Sequence, residues 1–170
     1  MPESSSNHYA KAFESWLKDN FIRYIVVDQH KRAAFSQMKV KSFDYVFYPP
    51  EGKAYLAEVK GRKFTGKTLA GLNNLQNWVT AADVSGLDRW MEVFGQGHNG
   101  VFVFVYSLEK IDVESDGRDI YEFDGRRYVF FVVSIADYMK CMKQRSQKWK
   151  TVCMPAEDFR RLAVSLEELF

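Results

Sequence analysis

The pattern of apolar positions along the chain predicts alternating helices and strands. Helices are predicted at about 8–19 and 84–94, and strands at about 21–28, 42–48, 54–60 and 100–108. Asp83 is expected to cap the second helix. The last strand, GVFVFVYSL, is almost continuously apolar, as in a central strand covered on both faces. The order helix, three strands, helix, strand predicts an α/β fold with a mixed central sheet flanked by helices.

The rest of the chain has weaker local signals. A hairpin is expected over 119–134 around the turn at Asp124-Gly125, then a helix at about 134–146. A short strand near 149–153 and a final helix from about Pro155 complete the pattern. Residues 61–77 are expected to form a flexible loop. The predicted organisation is a disordered tail over 1–7 and one domain over 8–170, with its core at about 8–108 and a C-terminal part at 109–170.

Composition indicates a folded globular protein, with 46% hydrophobic and 16% aromatic residues among 170. The net charge of +2 is too balanced to argue for nucleic-acid binding by itself. Residues 39–67, however, contain seven basic and three acidic residues, a net charge of +4.

Cysteine, histidine and hydropathy patterns argue against several classes of protein. Cys141 and Cys153 have no zinc-ligand spacing, and His8, His30 and His98 lie far apart. The four tryptophans, Trp16, Trp78, Trp90 and Trp149, are expected in the core or at its rim. No apolar run reaches the roughly 18 residues of a membrane helix, so no membrane contact and a cytoplasmic location are expected.

Three charged residues on the adjacent strands 42–48 and 54–60 form the candidate site. Asp44 lies early on the first strand, and Glu58 and Lys60 lie late on the second. Because side chains alternate along a strand, Glu58 and Lys60 share a face, and antiparallel pairing brings Asp44 beside them. Two carboxylates about 4 Å apart repel by about 4 kcal/mol at an effective dielectric near 20, which favours a bound cation.

Asp44, a gap of thirteen residues and then Glu58-Val59-Lys60 resemble the motif of the PD-(D/E)XK nuclease superfamily. That superfamily includes restriction endonucleases and Holliday-junction resolvases, and its members often have Pro before the first acid, where this chain has Phe43. The resemblance covers about residues 8–108. It implies a restriction endonuclease-like core and a metal-dependent nuclease, of endonuclease or exonuclease type, that hydrolyses phosphodiester bonds of DNA.

The resemblance also implies roles for individual residues. Asp44, Glu58 and the Val59 carbonyl would bind Mg²⁺ or Mn²⁺, and Lys60 would position or help deprotonate the attacking water. Glu14 on the first helix matches an acid that often reaches the metal in such nucleases. Gly61 would let the chain bend and a phosphate backbone approach. Residues expected to contact DNA are Lys41, Ser42, Arg62, Lys63, Lys67 and Gln76.

Other readings of the same segment remain open. The charges could lie on the solvent face of an edge strand, with Asp44 simply paired to Lys60. The fold could also serve nucleic-acid binding or assembly without catalysis. Residues 61–68, GRKFTGKT, match the spelling of a phosphate-binding P-loop, which would instead indicate a nucleotide-binding protein. A homodimer is plausible from the resemblance alone.

Overall fold

The computed structural model describes residues 7–27 and 41–170. The helices are α1 (Asn7–Asp19), α2 (Ala81–Phe94), α3 (Ile135–Cys141) and α4 (Ala156–Leu162). The strands are β1 (Arg23–Val26), β2 (Tyr45–Tyr48), β3 (Ala54–Phe64), β4 (Val79–Thr80), β5 (His98–Leu108), β6 (Tyr121–Phe123), β7 (Arg126–Ser134), β8 (Lys143–Ser146), β9 (Thr151–Cys153) and β10 (Val164–Ser165). Short 3₁₀ helices lie at Ala70–Leu72 and Leu166–Leu169.

A curved mixed sheet forms the centre of the described structure. Its strands run in the order β1-β2-β3-β5-β7, and both β6 and β10 pair with the outer edge of β7. Strands β3 and β5 are parallel along their whole length, from Ala54 opposite His98 to Phe64 opposite Leu108. The other neighbouring strands are antiparallel. A smaller sheet of order β4-β9-β8 lies beside the main one. The predicted α/β class with a mixed central sheet is therefore confirmed.

Each face of the main sheet is covered by a separate apolar core. Helix α1 packs on one face through Phe13, Trp16 and Leu17, which join side chains of β5 and β7. Helices α2, α3 and α4 cover the other face. Alternate residues of β3 serve the two cores, with Leu56 on the α2 side and Ala57 on the α1 side. This two-sided burial explains the continuous apolar run of β5.

Several predicted boundaries are wrong. The helix expected at 134–146 ends at Cys141, and the next residues form β8. Strand β3 continues through Arg62 and Lys63 to Phe64, so the first residues of the expected 61–77 loop are strand. Helix α2 begins earlier than expected, with Thr80 as its N-cap and Asp83 at the third helical position.

The tail expected over 1–7 mostly lies outside the described residues, although residue 7 begins α1. His30 lies outside them too. Cys141 and Cys153 are free thiols. Within the described part of the chain, no helix is long and apolar enough to cross a membrane.

The extended β3 strand excludes the P-loop interpretation. A P-loop needs a turn of small residues after the strand, followed at once by a regular helix. Here the strand occupies half of GRKFTGKT, and Thr68 forms an isolated bridge with Glu114. Only the 3₁₀ turn Ala70–Leu72 follows. The interpretation of residues 61–68 as a P-loop is therefore wrong.

Gly61 is required by packing rather than by a ligand. It faces α1, and a Cβ placed there would lie 2.1 Å from Cδ2 of Tyr9. Tyr9 itself is buried in the α1 core. The expectation that Gly61 admits a phosphate backbone is therefore wrong, because an aromatic ring already fills that space.

We expect Gly61→Ala to lower the free energy of unfolding by about 1–3 kcal/mol, the usual cost of overpacking a core. Gly97→Ala is the matched control, because a Cβ there meets nothing within 4 Å. Urea unfolding of both variants measures the difference. Equal stabilities of the two variants would contradict the close approach of α1 to β3.

Candidate active site

The site forms where the β2–β3 ladder ends. The last register pair is Tyr45 opposite Ala57, and Asp44 lies just before it. The Asp44 amide donates to the Ala57 carbonyl at 3.0 Å, and the Val59 amide donates to Oδ2 of Asp44 at 2.8 Å. The Asp44 side chain thus takes the place of a backbone acceptor for Val59, two residues beyond the last pair of the ladder. This contact positions the carboxylate next to Glu58 and Val59.

Glu58 is a buried carboxylate held among other charges. Only 8% of the residue is exposed, in contrast to the predicted alternative of a solvent-facing edge. Burial, and after it the nearby Asp44 charge, raise the pKa of Glu58 to about 7 against the opposing effect of Lys60. The two carboxylates that the motif predicts are therefore close enough to repel each other, in a place that water hydrates poorly.

Lys60 lies between two carboxylates. Its Nζ is 3.4 Å from Oε1 of Glu58 and 2.8 Å from Oδ2 of Asp83. Glu58 and Lys60 share the α2 face of β3, because they alternate with Ala57, Val59 and Gly61 on the α1 side. The shorter contact of the ammonium group is with Asp83 rather than with a motif carboxylate.

Asp83 is fixed in place by the start of α2. Its backbone amide donates to the Thr80 hydroxyl at 3.0 Å, and its Oδ2 accepts from the Thr80 amide at 2.9 Å, which is a capping box. Burial would raise the pKa of Asp83. The ammonium groups of Lys60 and Lys41 and the Thr80 amide outweigh burial and lower that pKa to about 2.

Lys41 completes the group of charges. Its Nζ contacts Oδ1 of Asp83, and its carbonyl accepts from Nε1 of Trp90 at 2.9 Å. Helix α2 packs closely here, since a Cβ at Gly86 would lie 2.8 Å from the Lys41 carbonyl oxygen. The predicted DNA-contacting role of Lys41 must therefore compete with an ion pair inside the protein.

The donor set fits a partly hydrated Mg²⁺ ion. Within the described residues, no group of three or more His, Cys, Asp or Glu side chains is arranged to hold a metal. Mg²⁺, however, commonly takes one or two carboxylates and completes its octahedron with water and substrate phosphates. Asp44 and Glu58 supply two, and the Val59 carbonyl points to the same side as its amide, toward Asp44. Burial and the charge of Asp44 raise the pKa of Glu58, so a cation bound beside it would stabilise its ionised form.

Glu14 lies on the other side of the sheet. Tyr24 and Tyr45 donate hydroxyl protons to its two carboxylate oxygens at 2.8 and 3.3 Å, and Nζ of Lys18 lies 3.5 Å away. These partners belong to the α1 face, whereas Glu58 and Lys60 face α2. The structure does not bring Glu14 into the charged cluster, and its role at a metal stays a prediction.

The other residues predicted to contact DNA are spread along β3 and beyond it. The Arg62 guanidinium stacks on Trp78 at 4.0 Å from the ring centre and donates to the Trp78 carbonyl at 2.6 Å. Lys63, Lys67 and Gln76 are exposed. The Ser42 hydroxyl is 3.3 Å from the Phe43 carbonyl. Their contacts with DNA stay predictions.

Asp83 is the site residue that sequence reasoning missed. The sequence predicts Asp83 only as a helix cap. Its contact with Lys60 is not predicted, because the two residues lie far apart along the chain. One local signal was present, since Thr80 followed three residues later by Asp83 is the spacing of a capping box. Nothing local indicated that the carboxylate of this capping residue would also contact two lysines.

Comparison with known proteins agrees on the fold. A scan against protein-family models finds no match, and a search of curated proteins finds no significant relative. Solved structures do match, among them Hjc of Archaeoglobus fulgidus, a Holliday junction resolvase from an archaeal hyperthermophile. The two share a TM-score of 0.56 with 13% sequence identity over 98% of this chain and 95% of the other. The predicted restriction endonuclease-like core is confirmed by this likeness.

The buried Glu58 carboxylate should make stability depend on pH. Folded Glu58 keeps its proton up to about pH 7, whereas its ordinary pKa is 4.5. The folded state therefore binds more protons between these values, and Glu58 lowers stability as pH rises through this window. Without divalent metal, we expect the melting temperature of Glu58→Gln to be higher than that of the wild type at pH 8 and close to it at pH 5.

Thermal unfolding in EDTA at both pH values measures this difference. Glu92→Gln on the exposed side of α2 is the control and should follow the wild type at each pH. A Glu58→Gln variant that is less stable than wild type at pH 8 would show that the ionised carboxylate is adequately compensated in the metal-free protein.

Proposed function

We propose that this protein is a metal-dependent nuclease that hydrolyses phosphodiester bonds of DNA. The observation that carries the proposal is the convergence of Asp44 and buried Glu58, with Lys60 held beside them, at the end of the β2–β3 ladder. The fold adds support, because the matching Hjc structure is that of a Holliday junction resolvase. Dimerisation, as in enzymes that cut two strands, stays an expectation.

Asp44, Glu58 and the Val59 carbonyl would hold Mg²⁺, or Mn²⁺ in its place. When bound, the ion would supply Lewis-acid activation of the scissile phosphate and of a water molecule. The protein contributes a poorly hydrated pocket in which Glu58 gains from any added positive charge. Hydrolysis would be direct, without a covalent enzyme intermediate. The water oxygen would bond to phosphorus and lose a proton to solvent as the bond to the leaving oxygen breaks, and that oxygen would take up a proton from solvent.

Lys60 would stabilise the negative charge that develops on the phosphate. Its Nζ is ion-paired with Asp83 at 2.8 Å. An ammonium group in an ion pair has no lone pair with which to take a proton from water. This contact therefore favours electrostatic stabilisation by Lys60 over a role as general base.

Asp83 acts in this scheme as a positioning residue. Its carboxylate is fixed by Thr80 and receives Lys60 and Lys41 on its two oxygens. By holding Lys60 against β3, Asp83 restricts the long lysine side chain to one place beside the phosphate. A lysine ordered before substrate arrives loses less conformational freedom in the transition state.

A second candidate is a nuclease-like protein that binds or assembles on nucleic acid without cutting it. The complete set of Asp44, Glu58 and Lys60 argues against this candidate, because a buried carboxylate with a raised pKa destabilises a protein at neutral pH. Nucleic-acid binding alone does not require this loss of stability. A metal-dependent reaction requires the carboxylates that cause it.

The direct test is cleavage of plasmid, branched and single-stranded DNA with Mg²⁺ or Mn²⁺. We expect metal-dependent cutting by the wild type and a loss of about 100-fold or more in Lys60→Ala, the scale for removing one transition-state donor. Asp44→Asn and Glu58→Gln should be inactive, and Mg²⁺ should raise the melting temperature of the wild type but not of Glu58→Gln.

Lys53→Ala is the control, because this exposed lysine lies at the turn before β3, away from the site. Cutting that survives Lys60→Ala would reject this site. Stable binding of DNA with no cutting of any substrate would favour the second candidate.

Asp83→Asn should separate positioning from metal binding. We expect a loss of stability of about 1.5–3 kcal/mol, typical of hydrogen bonds to charged groups, and a fall in cleavage rate at saturating DNA. The Mg²⁺ affinity should stay near that of wild type, because Asp83 is not a proposed ligand. Magnesium titration and single-turnover cleavage, both well below the melting temperature, measure the two effects.

Asp88→Asn, one and a half turns further along α2, serves as the control. Loss of Mg²⁺ binding in Asp83→Asn would mean that Asp83 is itself a ligand. An unchanged rate in a folded Asp83→Asn variant would mean that Lys60 needs no positioning partner.

A further inference from the structure

A second group of cations lies on strand β8 and on the turn that connects it to β9. Residues 143–150, KQRSQKWK, contain four basic residues and no acidic one, while the whole chain has a net charge of only +2. Lys143, Arg145, Lys148 and Lys150 are all exposed. We name Lys143–Cys153 the basic hairpin.

Trp149 projects from the turn of the basic hairpin. It is 69% exposed, so the expectation that it belongs to the core or its rim is wrong. The Lys148 ammonium lies 5.2 Å from the centre of its ring. Trp149 therefore presents an aromatic face to solvent, with a lysine on each side of it in the sequence.

The turn that presents Trp149 is well defined by hydrogen bonds. The Trp149 amide donates to the Ser146 hydroxyl at 3.2 Å, and the Lys150 amide donates to the Gln147 carbonyl at 3.3 Å. Lys150 adopts a left-handed conformation with φ of +51°, which is uncommon for a residue with a side chain. The chain therefore accepts local strain at the position that follows the exposed indole.

The basic hairpin is attached to the candidate active site through β4. Strand β9 pairs with β4, with Thr80 opposite Thr151, and the Ala81 amide donates to the Lys150 carbonyl at 2.8 Å. Thr80 is also the cap that fixes Asp83, and Asp83 holds Lys60. The turn and the charged cluster are thus built on the same end of α2.

A line of cations connects the two places. Arg62 lies two residues beyond Lys60 on the same face of β3, about 7 Å along the strand. Its guanidinium lies 4.0 Å from the centre of the Trp78 ring, and that of Arg145, on β8, lies 5.0 Å from the same ring. The guanidinium groups of Arg62 and Arg145, which both contact the Trp78 ring, therefore connect β3 to the basic hairpin by positive charge.

We propose that the basic hairpin binds the sugar–phosphate backbone of a DNA strand that leads to Lys60, and that Trp149 stacks on an unpaired base of that strand. The proposal deepens the proposed function, on which it rests for the identity of the strand as substrate. Cations spaced around an aromatic side chain match single-stranded nucleic acid, because each nucleotide offers a phosphate and a flat base. The DNA strand would run from the basic hairpin past Arg145 and Arg62 to Lys60.

The first experiment measures the salt dependence of binding. A variant with Lys143, Lys148 and Lys150 changed to Ala is compared with one in which the exposed residues Lys53, Arg89 and Lys110 are changed to Ala, which has the same net charge. Fluorescence anisotropy in EDTA follows a labelled DNA with a single-stranded arm between 50 and 200 mM salt.

In the hairpin variant, the slope of log K against log salt should become shallower by roughly 0.7 for each phosphate contact that is removed on a single strand. The control variant should keep the wild-type slope. Equal slopes in both variants would overturn the proposal. Lys148→Glu alone should weaken binding further than Lys148→Ala, which tests the same surface with one substitution.

The second experiment separates stacking from charge. Trp149→Ala should weaken binding to the single-stranded arm by roughly tenfold, within the range for one base stacked on an aromatic side chain, and leave blunt duplex binding unchanged. Trp149→Phe should restore most of the loss. Equal weakening on both DNAs, or none on either, would reject the stacking role.

These outcomes are separate from those of the nuclease assay. Wild-type protein that binds DNA through the basic hairpin but never cuts would reject the nuclease and retain the hairpin. Cutting that depends on Lys60 but not on the basic hairpin would retain the nuclease and reject the hairpin. Wild-type protein that binds no DNA would reject both.

Discussion

The ammonium group of Lys60 is the contact on which the arrangement of the site depends. It lies between Glu58 on its own strand and Asp83 at the start of α2, with the shorter contact to Asp83. Among the residues that the structure describes, three acids (Asp44, Glu58, Asp83) and two lysines (Lys41, Lys60) meet here. Burial, followed by the charge of Asp44, raises the pKa of Glu58, whereas the two lysines and the Thr80 amide outweigh burial at Asp83 and lower its pKa.

The division of labour between the acids follows from their surroundings. Asp83 contacts two ammonium groups and a backbone amide, so its negative charge is compensated by groups of the protein itself. Glu58 has one ammonium at a longer distance and the repulsion of Asp44. Glu58, a motif residue, is thus the carboxylate whose ionised form the protein stabilises less. A cation bound nearby would stabilise that form, which suits a metal ligand.

The charged cluster lies where the β2–β3 ladder ends, because β2 is much shorter than β3. The ladder between them ends at Tyr45, while β3 continues to Phe64 along β5. Beyond the ladder the described edge of β3 presents the Val59 amide to the Asp44 side chain. Along the same strand, Arg62 continues the positive charge toward Arg145, so that one extended strand connects the charged cluster to the basic hairpin.

The sequence by itself determined the central fold and the motif residues, because both depend on local order. Alternation along a strand and the short β2–β3 turn were enough to place Asp44, Glu58 and Lys60 on one face. The apolar run of β5 was enough to predict a central strand. Such features need only neighbours in the sequence or in one hairpin.

Only the tertiary structure decided which distant groups meet the motif. Asp83 reaches Lys60 because α2 packs on the same face of the sheet, whereas α1 carries Glu14 to the tyrosines of the other face. Gly61 proved to be a packing contact for Tyr9, and the turn of the basic hairpin exposes Trp149, which was expected in the core or at its rim. These outcomes depend on which face each helix covers, and single-chain periodicity does not specify the partner of a face.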